Sequence, residues 1–363
     1  MERMAQKINS RMEHQTVNNI TTKKRQVNIE LLRIIAMMLV LLTHSQFGKK
    51  EVSLMHSDLL LAIGNYEVDS WTFVCVPCFV VISGYFGIRW KWKGLFNYLF
   101  QIGFWGGMVY FITWGLGLHD FRPLSFVKNM TCFLYGVNWF FYAYFGLYMF
   151  APVLNAFIEK ADEKQMMWMT LAFFGFQTVF GWILKQGEFY YGLTFTSIIG
   201  WYLLGAWLKK SSWKGFHLKP WQNMVVFLGI GQLCVFIALG AAFMGIDKGT
   251  YSYISPLQVV QTAYLFLFCR SLTVTRGEKI ITFFASSAFA GLLAHSWEGG
   301  TVYGTGMKWI SANLPVPFIF AMIYICLFFA AACCLDKIRL WCWKRVSNIC
   351  FKQSFISYRL NMK

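Results

Sequence analysis

The chain has 363 residues, 57% of them hydrophobic and 13% charged, with a formal net charge of +17 and a mean hydropathy of +0.48. Soluble domains carry about 25% charged residues, so this composition excludes an ordinary soluble enzyme and predicts an all-α, polytopic bundle embedded in a lipid bilayer. The excess cations suit anionic headgroups, and no nucleic-acid motif accompanies them.

Residues 1–27 form a polar, basic N-terminal segment containing Lys7, Arg11, Lys23, Lys24 and Arg25, without the apolar run of a cleavable signal peptide. Apolar stretches of roughly 17 to 25 residues can cross a bilayer, and about ten follow: 28–46, 69–88, 95–117, 139–158, 166–184, 192–208, 222–243, 254–273, 280–297 and 315–335. They define one integral domain, 28–335, ahead of a basic cytoplasmic tail, 336–363. With both termini in the cytoplasm, 25 of the 33 Lys and Arg fall on the inner side. Arg33 lies within the first span and the other seven in outer loops: Lys49, Lys50, Arg122, Lys128, Lys185, Lys248 and Lys308. That bias is the positive-inside pattern.

The first span carries Glu30, Arg33 and His44. At 3.6 residues per turn these project within about 60° of one another, with Val40 between them. Ionisable side chains in a membrane helix usually face a protein interior or a wet cavity, so the stripe is a candidate site. Glu30 can pair with Arg33 at i, i+3, and the plain alternative for Arg33 is snorkelling toward the inner interface. His44 lies eleven residues beyond Arg33, roughly 16 Å along the helix and toward the outer side.

The second span ends in Ser83-Gly-Tyr85, followed by Arg89, Lys91 and Lys93 among Trp90 and Trp92. This cytoplasmic cluster would suit a ligand with several phosphates, or would serve as positive-inside anchors in an aromatic belt. Cys75 and Cys78 form a CxxC inside an apolar helix without a second ligand pair, and seven of the ten cysteines, Cys334 among them, sit in apolar runs as small buried hydrophobes. No metal site is expected. Residues 125–136 read as an interfacial segment. Asn138 and Trp139, at the outer start of the fourth span, are candidates for contact with a sugar, although Trp at that depth commonly anchors a span. The ninth span ends at His295, with Glu298 one turn on; these are candidate acceptor-binding residues at the depth of His44. His56, His119 and His217 fall in loops and receive no role. The tail, with Trp341, Trp343 and Phe351 among its cations, suits a helix on the inner leaflet.

The run Ile29-Glu-Leu-Leu-Arg33-Ile-Ile-Ala36-Met-Met-Leu-Val40-Leu-Leu-Thr-His44 resembles the signature first helix of the acyltransferase-3 family of membrane acyltransferases. Phe79-Val-Val-Ile-Ser-Gly-Tyr85, Asn138-Trp-Phe-Phe-Tyr142 with Pro152, Gly200-Trp-Tyr-Leu-Leu-Gly205 and the helix ending in His295 resemble later landmarks in the family's order. The resemblance implies a ten-helix enzyme of a bacterial cytoplasmic membrane that moves an acyl group, most often acetyl from cytosolic acetyl-CoA, to a hydroxyl outside. The implied acceptor is a cell-surface glycan or lipid-linked glycan, acyl-CoA is a co-substrate and not a resident cofactor, and self-association is compatible with the chain. His44 matches the proposed catalytic histidine and Arg33 the essential arginine. The chain departs from the family where many members have Arg-x-x-Arg after the second helix and Tyr-Leu-Ile-His in the ninth; here stand Arg89 with Lys91 and Lys93, and Leu292-Leu-Ala-His295. Imidazole, with an unperturbed pKa near ~6.5, can take a proton from the hydroxyl and return it, and a covalent acyl-histidine is the other route. The rival readings are a secondary transporter or flippase that uses the stripe as a proton relay, or the same fold with a succinyl donor or a non-glycan acceptor.

Overall fold

The computed structural model describes residues 25–45, 47, 58–135, 138–245, 251–296 and 298–360, and all regular structure among them is helical. In chain order the helices are α1 Val27–Thr43, α2 Leu59–Thr72, α3 Cys75–Phe86, α4 Trp92–Gly115, α5 Pro123–Met130, α6 Trp139–Lys160, α7 Glu163–Phe176, α8 Phe195–Lys210, α9 Pro220–Phe243, α10 Pro256–Ser271, α11 Glu278–Ala285, α12 Phe289–Ala294, α13 Glu298–Asn313 and α14 Pro317–Leu360. Six stretches among the described residues are long and apolar enough to cross a membrane: 59–86, 92–115, 139–160, 163–183, 220–243 and 317–351. They coincide with six of the ten expected spans. The other four are helical but short or interrupted: α1, α8 and α10 have 17, 16 and 16 residues, and the ninth is split into α11 and α12.

α1 is the central helix. Ile29, Leu32, Ala36, Met37, Val40 and Leu41 are exposed by 1% or less, the i, i+3, i+4 spacing of a helix buried along most of its girth. Around it stand α2, α3, α10, α11, α12 and α14. α3 crosses α8 where Gly84 faces Gly205: a β-carbon on Gly84 would collide with the Tyr202 carbonyl, and one on Gly205 with the Val81 carbonyl. Small residues at this crossing let two backbones touch, the usual device for packing helices where lipid supplies no hydrophobic drive.

Three boundaries differ from expectation. The second span starts at Leu59, ten residues before the expected 69, because Asn65, Asp69, Ser70 and Thr72, which lower its hydropathy, are buried against other helices. Asp58 caps its N-terminus by accepting from the Leu61 amide, and Pro77, which has no N–H to give, follows its break at Phe73–Val74. The ninth span opens at Ser286–Ala288, where Lys337 Nζ caps the break by donating to Phe283 O (2.7 Å), Ser286 Oγ (3.0 Å) and Ser287 Oγ (2.9 Å), a cation at a helix C-terminus. The tail does not separate from the last span. No Gly or Pro interrupts 318–360, and α14 runs as one 44-residue helix, about 66 Å at ~1.5 Å per residue. Across position 336, Arg339 grips Asp336 through Nε (2.7 Å) and Nη2 (2.9 Å), and Trp105 Nε1 donates to the same carboxylate (3.0 Å). Of the seven cysteines expected in apolar surroundings, Cys334 is exposed.

Candidate active site

Arg33 and Glu30 form the expected i, i+3 pair. Arg33 Nη1 lies 3.0 Å from Glu30 Oε1 and 3.2 Å from Oε2, with Glu30 buried and Arg33 half-buried. The guanidinium reaches a cavity of about 220 Å³ among α1, α3, α4, α6 and the α11–α12 break; Ser83, Tyr98, Gln101, Tyr144 and Ser286 supply the rest of its polar lining, and Phe79, Phe140 and Phe289 part of its apolar wall. Ser83 Oγ donates to Phe79 O (2.9 Å), so at 3.1 Å it accepts from Tyr144 Oη. Tyr98 Oη donates to Phe141 O (3.1 Å).

At the far end of α1 stand two histidines. His44 Nδ1 lies 2.8 Å from Val40 O, and His295 Nδ1 lies 2.8 Å from Gly291 O. A carbonyl only accepts, so each Nδ1 donates, which leaves Nε2 of each ring for another partner. The ring centroids are 4.8 Å apart at 59°. His44 is exposed while His295 is buried. Each ring sits at the C-cap of its helix, so two C-termini end side by side. Tyr303 holds this corner: its hydroxyl donates to Leu41 O (2.6 Å) and its ring packs edge-on to His295.

The remaining candidates scatter. Tyr85 packs on Phe266 of α10 and does not line the cavity. Arg89, Lys91 and Lys93 are exposed in the α3–α4 connection and the first turn of α4. Their backbone is strapped down by Tyr148 Oη, which accepts from Lys91 N (3.0 Å) and donates to Lys91 O (2.9 Å), and by Asn155 Nδ2, which donates to Ile88 O (2.8 Å). Asn138 caps α6 by accepting from the Phe140 amide (2.9 Å), and Trp139 packs on Tyr253. Glu298 opens α13, but its side chain, like residues 1–24 and His56, lies outside the described residues. His119 meets Thr113 and Tyr110, and His217 meets the Ser211 carbonyl, which are local contacts.

Sequence reasoning missed Gln101, Tyr98, Tyr144 and Tyr303. The first three were hidden as lone polar atoms in apolar spans. Tyr303 lies in α13, between the ninth and tenth expected spans, where Tyr303, Met307 and Ile310 are buried at helical spacing; that periodicity was the available signal.

No curated protein and no solved structure gives a significant match to the chain. The acyltransferase-3 profile, described as an acyltransferase domain, matches residues 26–337, which takes in α1 with its Arg33 and His44, the cavity and His295. The chain therefore belongs to the acyltransferase-3 family of acyltransferases.

Proposed function

We propose that this protein is a membrane O-acyltransferase that takes acetyl from cytosolic acetyl-CoA and delivers it to a hydroxyl of a cell-surface or exported glycan on the outer face of the cytoplasmic membrane. The observation that carries the reading is that one helix, α1, presents Arg33 to a cavity within the bundle and, at its C-terminal end, His44 to a second histidine. A cavity of about 220 Å³ is smaller than the ~300 to 1,000 Å³ of sites that enclose whole cofactor-sized ligands. It suits a slender arm, with the nucleotide left at the exposed Arg89, Lys91 and Lys93, where phosphates would find cations.

In this reading the thioester carbonyl lies beside His44. Its Nε2 takes the proton of the acceptor hydroxyl as the oxygen attacks the carbonyl carbon, the C–S bond breaks, and the proton passes to the leaving thiolate. His295 orients the neighbouring ring and acceptor. Among the described residues Arg33 is the one cation lining the cavity, and it pairs with Glu30.

The test compares surface glycans by mass spectrometry from cells with the wild-type protein, with His44→Ala at equal membrane level, and without the protein. Loss of acetyl-group mass in both of the last two is expected; full acetylation by His44→Ala would remove His44 from the chemistry.

A further inference from the structure

The cavity's polar lining can be sorted by which hydrogen-bonding groups are already engaged. Tyr98 donates to Phe141 O, Tyr144 to Ser83, Ser83 to Phe79 O, and Ser286 to Phe283 O (2.8 Å). Arg33 engages Glu30 through Nη1. Gln101 is different. It is only 9% exposed, lines the cavity from α4, and its carboxamide makes no hydrogen bond among the described residues. A buried amide left unpaired is costly, and such groups are ordinarily satisfied by protein, water or ligand. Gln101 is therefore a donor and an acceptor aimed into space that something else fills.

We propose that Gln101 is a donor-binding residue: its carboxamide pairs with a secondary amide of the pantetheine arm of acyl-CoA, giving an N–H to the arm's carbonyl and accepting the arm's N–H. This rests on the acyl-CoA reading above. An arm threading from the exposed cations toward His44 must bring its amides into a bundle whose wall here is Phe79, Ile82, Phe140 and Phe289. An apolar wall cannot satisfy those amides, and a single carboxamide supplies both complementary groups in one place. Arm and residue thus remove each other's desolvation penalty. The same logic gives Gln101 a role in specificity: it favours a thioester on an amide-bearing arm over one on a plain alkyl chain.

The test needs no acceptor. Binding of two probes, acetyl-CoA and adenosine 3′,5′-bisphosphate, which has two of the three phosphates of the CoA nucleotide but no arm, is measured on the full-length protein in detergent for wild type and Gln101→Leu. Gln101→Met, which keeps nearly the same length, serves as the second variant. The expected result is that both variants weaken acetyl-CoA by about five- to tenfold, the size of one neutral amide pairing, and leave the bisphosphate unchanged. Wild-type affinity for acetyl-CoA in the variants overturns the assignment. Parallel loss of both probes also overturns it, because that reports a distorted bundle. If wild-type protein binds neither probe, the donor reading itself fails.

Discussion

His44 and His295 fix their own tautomers, each giving its Nδ1 proton to the carbonyl four residues back in its own helix. Each ring is oriented by a carbonyl of its own helix, and the two rings lie at a centroid separation of 4.8 Å. In the proposed reaction the exposed ring would meet the acceptor, while the buried one packs edge-on to Tyr303. Groups that act as one unit lose activity non-additively. His44→Ala is expected to lower acyl transfer by ~10² to 10⁴, His295→Ala by a smaller factor, and the double variant no further than His44→Ala alone. Initial rates in membranes normalised to protein level check this; a double variant slower by the product of the two single effects would show independent roles.

At the scale of elements, α14 carries a buried ion pair that joins its C-terminal half to the bundle. Asp336 and Arg339 are 0% and 2% exposed, and Trp105 and Asn97 of α4 complete their hydrogen bonds. Removing one partner leaves an uncompensated buried charge, which costs about 3–5 kcal/mol, whereas replacing both by apolar groups is close to neutral. Arg339→Met should therefore lower the melting temperature of the solubilised protein strongly, and Asp336→Leu added to it should restore much of the loss. The pair also shows what hydropathy left illegible. A charge lowers the apolar score whether it faces water or a partner, so a sequence window placed the end of the last span at 335. The polar residues of α2 misled for the same reason: they are buried against protein, and the partner of Ser70, the Gly231 carbonyl, lies far away in the chain. By contrast, Glu30, Arg33 and His44 were legible because one helix carries them all, and His295 because it ends an apolar run at matching depth.

The whole molecule explains why a length criterion finds six spans where hydropathy and charge expect ten. α8 is buried nearly all round, with Ser197, Ile198 and Gly200 to Ala206 shielded in sequence, and α1 and α10 are similarly enclosed. A helix surrounded by protein need not match the ~30 Å hydrocarbon thickness with its own apolar length, and 16 residues reach about 24 Å. The longer stretches 139–160, 163–183, 220–243 and 317–351 leave most of their apolar residues unburied, as lipid-facing spans do. Sidedness then depends on whether the short helices cross, and α8 is the decisive case, because one span removed reverses every later loop and puts His44 and His295 on opposite faces. Alkaline phosphatase fused after Gln186, before α8, should be active, since that enzyme matures only outside the cytoplasm, while the same reporter fused after Gly215, beyond α8, should be inactive. Equal activity at the two sites would remove α8 from the spans. The side-by-side rings would then contradict the charge-based topology, since His44 and His295 lie at one depth in the fold.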